Sequence, residues 1–125
     1  PKFIEIRKRN FEELFEYFLD YTTRFILPTS TPYSNPNWFG FPLLCENIER
    51  KTVIDYLEKK GIATRMMFGG NITHQPAYQN ISCRIIGEKN ANRVMKDLFW
   101  IGVYPGITKK DLEYIKRTFD EFLLH

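Results

Sequence analysis

The chain has 125 residues, of which 43% are hydrophobic and 26% are charged, a composition typical of one folded globular domain. These proportions exclude a chain that is disordered over most of its length, because there is enough apolar surface to offset chain entropy. The 18 basic and 15 acidic residues are interleaved and leave a net charge of only +3, so no basic face for nucleic acid is expected. No apolar run approaches the roughly 20 residues that a membrane-spanning helix needs.

The start of the sequence, Pro-Lys-Phe-Ile, has neither a methionine nor a signal-peptide pattern, which predicts a piece of a longer protein. Two cysteines, Cys45 and Cys83, lie outside any spacing typical of metal ligands or redox pairs. We therefore expect both thiols to be reduced, as is usual for a protein of the cytoplasm.

The first predicted element is a helix that ends before Pro28, because proline disfavours helical backbone at the residue ahead of it. Asn10, followed three residues later by Glu13, matches an N-cap with its partner. Three prolines between 28 and 36 predict an extended, turn-rich connector over 29–37. One apolar stripe at three- and four-residue steps should face the core: Phe11, Leu14, Phe15, Phe18, Tyr21 and Phe25.

Three strands and three further helices are predicted beyond the connector. Pro42 restricts the first strand to a sheet edge or a bulge, because proline has no N–H to donate. Gly61 suits a left-handed helix C-cap, and Thr108 with Asp111 matches the capping box of the last helix. The predicted strands are 37–44, 62–68 and 99–104, the predicted helices are 48–60, 90–98 and 108–123, and 72–87 is predicted to be mostly loop.

This order of elements predicts an α+β domain of two layers, with a short three-stranded sheet and helices packed on one face. Strands separated by helices usually form a parallel sheet. With only three strands, which contain glycines and a proline, an antiparallel or mixed sheet is equally compatible with the pattern.

Side chains for catalysis are scarce in this sequence. His74 and the terminal His125 have no acid at metal-ligand spacing, and neither a phosphate-binding glycine loop nor a nucleophile elbow is present. No lysine stands among the apolar neighbours that Schiff-base chemistry favours. From the residues alone we expect no catalytic residue, no metal site and no self-sufficient enzyme.

Two features nevertheless indicate a binding surface. Arg65 interrupts an apolar strand, where a charge must either pair with an acid or face a cleft. Segment 69–78 is dense in hydrogen-bonding groups held between glycines and a proline, as in loops that bind polar ligands. Most of the aromatic residues on two predicted strands should be core, and an exposed remainder would mark contact with another domain: Trp38, Phe39, Phe41, Trp100 and Tyr104.

Four runs of residues carry a resemblance that extends from Asn10 to about Phe122. They are Trp-Phe-Gly-Phe-Pro at 38–42, Thr-Arg-Met-Met-Phe-Gly-Gly-Asn at 64–71, Gln-Pro-Ala-Tyr at 75–78 and Phe-Trp-Ile-Gly-Val-Tyr-Pro-Gly at 99–106. With them the chain resembles the C-terminal domain of the sugar aminotransferase/dehydratase family of fold-type-I pyridoxal-phosphate enzymes. The first and last runs resemble most the branch of 3-dehydratases that act on CDP-4-dehydro-6-deoxyglucose in lipopolysaccharide sugar synthesis.

The resemblance implies a reaction in which pyridoxamine phosphate condenses with a nucleotide-linked 4-keto-6-deoxysugar and the C3 hydroxyl leaves. An iron–sulfur flavin reductase then supplies electrons to give a 3,6-dideoxy sugar. The pyridoxal or pyridoxamine phosphate (PLP or PMP) pocket, the catalytic histidine and the cluster cysteines belong to an N-terminal domain. None of them maps onto this chain, so the chain alone is expected to bind no cofactor and to be inactive. The parent enzyme is expected to be a homodimer in the cytoplasm.

The resemblance also implies an antiparallel sheet and one domain over 1–125, made of a connecting helix over 1–28 and an α+β lobe over 29–125. The lobe would form one wall of the substrate cleft, with Arg65 on a phosphate or hydroxyl, Phe39 over the pocket mouth and polar loop groups on the substrate. The implied substrate-binding residues are Phe39, Arg65, Asn71, His74, Gln75, Tyr78 and Arg93. Two alternatives stay open, namely the small domain of a sugar aminotransferase and a freestanding nucleotide-sugar binding module.

Overall fold

Four helices and four strands make up the computed structural model, which describes residues 2–124. Pro1 and His125, the latter considered above as a ligand, lie outside the described residues. The helices are α1 (Lys2–Phe18), α2 (Arg50–Lys59), α3 (Lys89–Asp97) and α4 (Lys109–Leu123), and the strands are β1 (Phe25–Ile26), β2 (Gly40–Cys45), β3 (Thr64–Met66) and β4 (Leu98–Gly102). Short 3₁₀ turns cover Leu19–Tyr21, Ile72–His74 and Pro76–Tyr78.

The strands form one antiparallel sheet in the order β1-β2-β4-β3. The α+β class and the antiparallel sheet implied by the resemblance are confirmed. The prediction of three strands is wrong, because β1 adds a fourth strand by pairing Phe25 with Cys45 and Ile26 with Leu44.

The fourth strand occupies a stretch where the first helix was predicted to continue. Helix α1 ends at Phe18, and the chain reaches β1 through a 3₁₀ turn. Phe25 is nevertheless buried, with its ring centroid 5.7 Å from that of Phe18 and 6.1 Å from that of Phe119. The helical spacing continued through Phe25 only because an inward strand residue happened to fall at that step, so the apolar pattern could not show where the helix ends.

The predicted N-cap of the first helix is also wrong. Helix α1 begins at Lys2, which places Asn10 in its interior. Asn10 is fully buried, and its Nδ2 donates to the backbone oxygen of Tyr104 over 3.1 Å. Its amide therefore donates to a backbone carbonyl after β4 and does not cap the helix. The sequence around Asn10 resembles that of an N-cap, although its role is a long-range hydrogen bond.

The core lies between one face of the sheet and the helices α1, α2 and α4. Alternate residues of β2 and β4 point into it, and Phe18 stands at its centre, with ring centroids 5.4 Å from Phe41 and 4.8 Å from Phe119. Helices α1, α2 and α4 thus pack on one face of the sheet, whereas α3 contributes no residue to this core. The core residues are Phe11, Leu14, Phe18, Phe25, Phe41, Leu43, Cys45, Val53, Leu57, Ile62, Phe99, Ile101, Val103, Leu112, Ile115 and Phe119.

Several local predictions hold for reasons of backbone chemistry. Pro42 pairs with Trp100 of β4 on one side, and on the other side β1 reaches only Leu44 and Cys45. Within the described sheet Pro42 therefore has no second strand beside it, which is the edge condition that its missing N–H requires. Gly61 has φ +77°, and Thr108 and Asp111 form the predicted capping box at the start of α4.

Strand β3 is shorter than the predicted 62–68. The segment predicted as loop over 72–87 contains two 3₁₀ turns, at Ile72–His74 and Pro76–Tyr78. The first of these turns is capped by Asn71, whose side chain accepts from the Thr73 amide. Backbone hydrogen bonds from His74 and Gln75 also close this turn, and neither these bonds nor the cap would be revealed by an apolar period.

Candidate functional site

The outer face of the sheet, opposite the core, carries an aromatic residue between an arginine and a proline. Trp100 of β4 pairs with Arg65 of β3 on one side and with Pro42 of β2 on the other, and all three side chains share this face. Trp100 is half-buried. A Cβ on Gly40 would lie closer than 3.0 Å to carbons of the Trp100 indole, so glycine at 40 is what lets the ring lie across the sheet.

Phe39 extends this aromatic surface. Its ring is 70% exposed and meets the Trp100 ring at a centroid distance of 5.2 Å and an angle of 65°. Edge-to-face geometry of this kind is a favourable arrangement for two aromatic rings. Most of the five aromatic residues on the predicted strands were expected to be core, but only Phe41 is buried, and Phe39 and Tyr104 are exposed.

Arg65 lies at the edge of the same face with its charge available. Its Nη1 donates to the Thr64 backbone oxygen over 2.8 Å, and no carboxylate between residues 2 and 124 forms an ion pair with it. The carboxylate of Glu58 accepts from Thr64 N and Oγ1 over 2.6 and 2.8 Å, and these bonds lower the pKa of Glu58. The sequence predicted that Arg65 either pairs with an acid or faces a cleft. The structure favours an exposed guanidinium over a paired one.

Asn71 fastens segment 69–78, which we call the polar loop, to helix α3. It is buried, its Oδ1 accepts from Thr73 N and Oγ1 over 3.1 and 2.9 Å, and its Nδ2 donates to Asn92 Oδ1 over 2.7 Å. Gly70 before it has φ +61°, and a Cβ there would collide with the Met95 side chain. The hydrogen-bonding groups of Asn71 are thus used within the chain, which makes it a residue that shapes the loop.

His74 lies beside a carboxylate that the sequence did not associate with it. Its Nε2 is 3.7 Å from Glu88 Oε2, and both side chains are well exposed. The same Glu88 oxygen accepts from Asn71 Nδ2 over 3.3 Å. Sequence reasoning missed Glu88 because it stands 14 residues away, just before α3, and only the folded loop brings it to the imidazole.

The remaining predicted residues divide between two places. Gln75 lies in the loop, where its Nε2 donates to the Gly69 backbone oxygen, and Tyr78 is 45% exposed at the end of the second 3₁₀ turn. Arg93 instead forms an ion pair with Glu46 after β2, in a charged cleft of about 620 Å³. The structure therefore groups Asn71, His74 and Gln75 in one loop, groups Phe39 with Arg65 around Trp100, and places Arg93 in the separate cleft.

Segment 66–86 exposes an unusual amount of apolar surface. Each of seven side chains in it is at least 45% exposed: Met66, Phe68, Ile72, Tyr78, Ile81, Ile85 and Ile86. Exposed apolar side chains that form a patch are typical of surfaces that contact another protein. We call these seven residues the apolar rim.

The described residues do not by themselves fit a pyridoxal-phosphate site. Such a cofactor is held by a lysine Schiff base with an acid at the pyridine nitrogen, yet no lysine in the described part of the chain is buried. Over residues 2–124, no cluster of three His, Cys, Asp or Glu side chains could hold a metal ion.

No described helix is long and apolar enough to cross a bilayer. Burial raises the pKa of the Cys45 thiol to about 11, and Cys83 is exposed.

The α+β lobe, its sheet order and the four runs of residues given in the sequence analysis are together typical of one class of enzyme domain. The chain belongs to the DegT/DnrJ/EryC1/StrS aminotransferase family, whose model matches residues 1–120. The family resemblance drawn from the sequence is thereby confirmed.

Two curated relatives are similar over nearly the whole chain. It is 38% identical over 125 residues to the lipopolysaccharide biosynthesis protein RfbH of Salmonella typhimurium, covering 97% of this chain and 29% of that protein. It is 37% identical over 121 residues to dTDP-4-dehydro-2,6-dideoxy-D-glucose 3-dehydratase of Saccharopolyspora spinosa, covering 94% of this chain and 26% of that protein. The chain thus spans between 26% and 29% of the length of these relatives.

Solved structures share the fold. The GDP-4-keto-6-deoxy-D-mannose-3-dehydratase of E. coli with bound hydrated PLP matches with a TM-score of 0.77 at 21% identity, over 94% of this chain and 31% of that one. DesV of S. venezuelae in complex with a ketimine intermediate matches with a TM-score of 0.85 at 16% identity, over 98% of this chain and 32% of that one. At these identities the match establishes the fold alone.

Proposed function

We propose that the chain is the C-terminal domain of a nucleotide-sugar 3-dehydratase that uses PLP or PMP and makes 3,6-dideoxy sugars for lipopolysaccharide. Two relatives support this assignment: RfbH carries lipopolysaccharide biosynthesis in its name, and the Saccharopolyspora spinosa protein is a 3-dehydratase. In the proposal the cofactor anchor lies in the longer part of the polypeptide, and the enzyme is a cytoplasmic homodimer served by an iron–sulfur flavin reductase. The bound cofactor would supply the electron sink for loss of the C3 hydroxyl.

The observation that carries the proposal is the unpaired guanidinium of Arg65 beside the half-buried ring of Trp100, which the exposed ring of Phe39 meets. A guanidinium forms bidentate hydrogen bonds with phosphate, and flat rings stack with a nucleobase. Arg65 would therefore bind the diphosphate of a nucleotide-linked sugar, and Phe39 would cover the ligand. The chain contributes a wall that orients substrate and no catalytic residue.

The polar loop would complete that wall on the sugar side. The exposed His74 and Tyr78 offer hydrogen bonds to hydroxyl groups, and Asn71 and Gln75 hold the loop in shape. Arg93 would act only if its ion pair with Glu46 opened, so it is the weakest of the proposed substrate contacts.

The apolar rim supports the proposed domain arrangement. In a longer polypeptide the connecting helix over 1–28 would lead into the lobe over 29–125, and the rim would pack against the cofactor-binding domain. Covering these seven side chains would remove their apolar surface from water, which favours association.

A titration of the chain with CDP and with dTDP, followed by NMR, tests the proposal. We expect weak, millimolar binding with the largest shifts at the Trp100 indole N–H and around Arg65, and Arg65→Ala should weaken it about tenfold. Arg117→Ala is the matched control, because Arg117 is an exposed arginine on α4 that lies over the Tyr114 ring. Equal binding by Arg65→Ala and the unmodified chain would refute the assignment of this surface.

The same titration separates the alternative functions. Micromolar affinity for a nucleotide sugar in the chain alone would favour a freestanding binding module. A parent that is an aminotransferase would differ at the residue that anchors the cofactor, a lysine in place of a histidine, so sequencing upstream of residue 1 decides between those two. The chain mixed with PLP should retain no cofactor absorbance after dialysis, and a retained cofactor would contradict the proposed division of labour.

A further inference from the structure

A groove runs along helix α1 on a part of the molecule that the proposed function does not use. It has a volume of about 380 Å³ and lies between α1 and the two ends of the connector 29–37, with Pro28 and Trp38 on either side of it. Its lining consists of Phe11, Glu12, Phe15, Glu16, Pro28, Thr29, Ser30 and Trp38.

Aromatic rings form one part of the groove. Phe11 stacks on Trp38 with a centroid distance of 5.1 Å and an angle of 5°, and on Phe15 with 6.3 Å and 19°. Phe11 is buried, whereas Trp38 and Phe15 are only half-buried. Flat rings that remain accessible are a surface on which a planar group can stack.

Two carboxylates form the other part. Glu12 and Glu16 stand one helical turn apart, and both are exposed. Neither forms an ion pair with any residue of the described range, in contrast to Glu13 between them, which pairs with Lys116. These two charges are therefore free to pair with a ligand.

No positive charge in the groove lining offsets these carboxylates. The connector and the strand after it, residues 28–45, contain no charged side chain. Lys8, one turn before Glu12, donates to the Asn35 side-chain oxygen and thereby ties α1 to the connector at that end. The groove thus combines accessible aromatic rings with two carboxylates that form no ion pair in the described range.

We propose that this groove binds an arginine side chain of a partner polypeptide segment. A guanidinium is planar and cationic, so it stacks on aromatic faces and donates paired hydrogen bonds to carboxylates. An ammonium group has no plane to stack, and a neutral side chain gains nothing from the two charges. The inference rests on the groove alone and does not depend on the proposed function.

The fluorescence of Trp38, which lines the groove, reports binding in the test. The chain has two tryptophans, so Trp100→Phe leaves Trp38 fluorescence to follow titration with the peptide acetyl-Gly-Ser-Arg-Ser-Gly-amide. We expect a saturable change, at least about tenfold weaker binding of the peptide with citrulline in place of arginine, and weaker binding of the lysine peptide. The Trp38 indole N–H of the unmodified chain, followed by NMR, gives a second measurement if the variant folds poorly.

Removal of both charges by Glu12→Gln combined with Glu16→Gln should weaken binding of the arginine peptide about tenfold. Glu5→Gln, on the same helix outside the groove, is the matched control and should bind as the unmodified chain does. The proposal fails if the arginine peptide gives no saturable signal, if the citrulline or lysine peptide binds equally well, or if the double variant binds unchanged. It also fails if the Trp38 signal depends on protein concentration without peptide, because a second copy of the chain would then occupy the groove.

Discussion

Gly40 illustrates how one missing side chain builds the proposed binding surface. It stands opposite Gly102 in the register of β2 and β4, and Trp100 covers it on the outer face. A larger residue at 40 would push the indole away from the sheet and from Arg65. The exposed aromatic surface thus depends on a residue that contributes no atom to it.

Gly40→Ala should therefore destabilise the chain by about 1–3 kcal/mol, because the added methyl group collides with the indole. It should also shift the Trp100 fluorescence. Urea unfolding measures the first effect and emission spectra the second.

Gly102→Ala is the control, since its added carbon would meet only the Ile107 side chain at 4.0 Å, an ordinary contact. If both variants lost the same stability, the close approach of Trp100 to Gly40 would not be the cause.

At the scale of elements, two tyrosines, one in α1 and one in the 3₁₀ turn after it, bind the last helix. Tyr17 of α1 donates to Asp120 Oδ1 of α4 over 2.6 Å, and Tyr21 donates to the same oxygen over the same distance. Burial and the hydrogen bond to Asp120 raise the pKa of Tyr17 far above its usual 10. The neutral phenol is therefore the form that the folded state requires.

This raised pKa predicts a loss of stability in alkali. Above pH 10 the unfolded chain releases the Tyr17 proton while the folded chain retains it, so the free energy of unfolding falls as the pH rises. Below pH 10 the contribution is fully present. Urea unfolding between pH 8 and 11 should show a steeper fall for the unmodified chain than for Tyr17→Phe.

Tyr33→Phe serves as the comparison, because Tyr33 is fully exposed, and it should keep the full alkaline fall. A Tyr17→Phe curve parallel to that of the unmodified chain would show that this phenol does not govern the transition.

Features that depend on neighbouring residues could be predicted from sequence, and features that depend on folding could not. The Thr108–Asp111 capping box and the left-handed Gly61 are local and were found correctly. The role of Asn10 depends on the distant Tyr104 carbonyl, so the capping pattern around it gave the wrong answer. The helical period likewise ran past the end of α1, because Phe25 packs against the distant Phe119 from a strand.

The same rule holds for the candidate site. Arg65 stood out because a charge within an apolar strand is visible in the sequence. Its relation to Trp100 depends on strand register, and the approach of Glu88 to His74 depends on how the loop folds onto α3. Residue types were thus predictable, and their grouping was not.

At the scale of the whole molecule, the apolar rim is the feature that is not expected of a chain that functions without another protein surface against it. Its seven side chains are exposed along one continuous segment. Exposed apolar surface of this extent binds hydrophobic dyes and promotes association.

Phe68→Ser should therefore lower the binding of a hydrophobic dye such as ANS while leaving the free energy of unfolding within about 0.5 kcal/mol, because Phe68 is 85% exposed. Dye fluorescence and urea unfolding check the two halves of this expectation. Tyr33→Ser, another exposed aromatic outside the rim, should leave dye binding unchanged. A large loss of stability in Phe68→Ser would mean that its ring supports the loop.

Helix α1 has a further consequence through Phe11, Leu14 and Phe18, which lie at the centre of the core. A protease cut or an expression boundary placed at residue 28 would strip those three side chains from the sheet and leave Phe41 and Phe119 facing water. The helix that leads into the lobe therefore also supplies part of the hydrophobic core of the lobe. The smallest piece that can fold must begin upstream of Phe11.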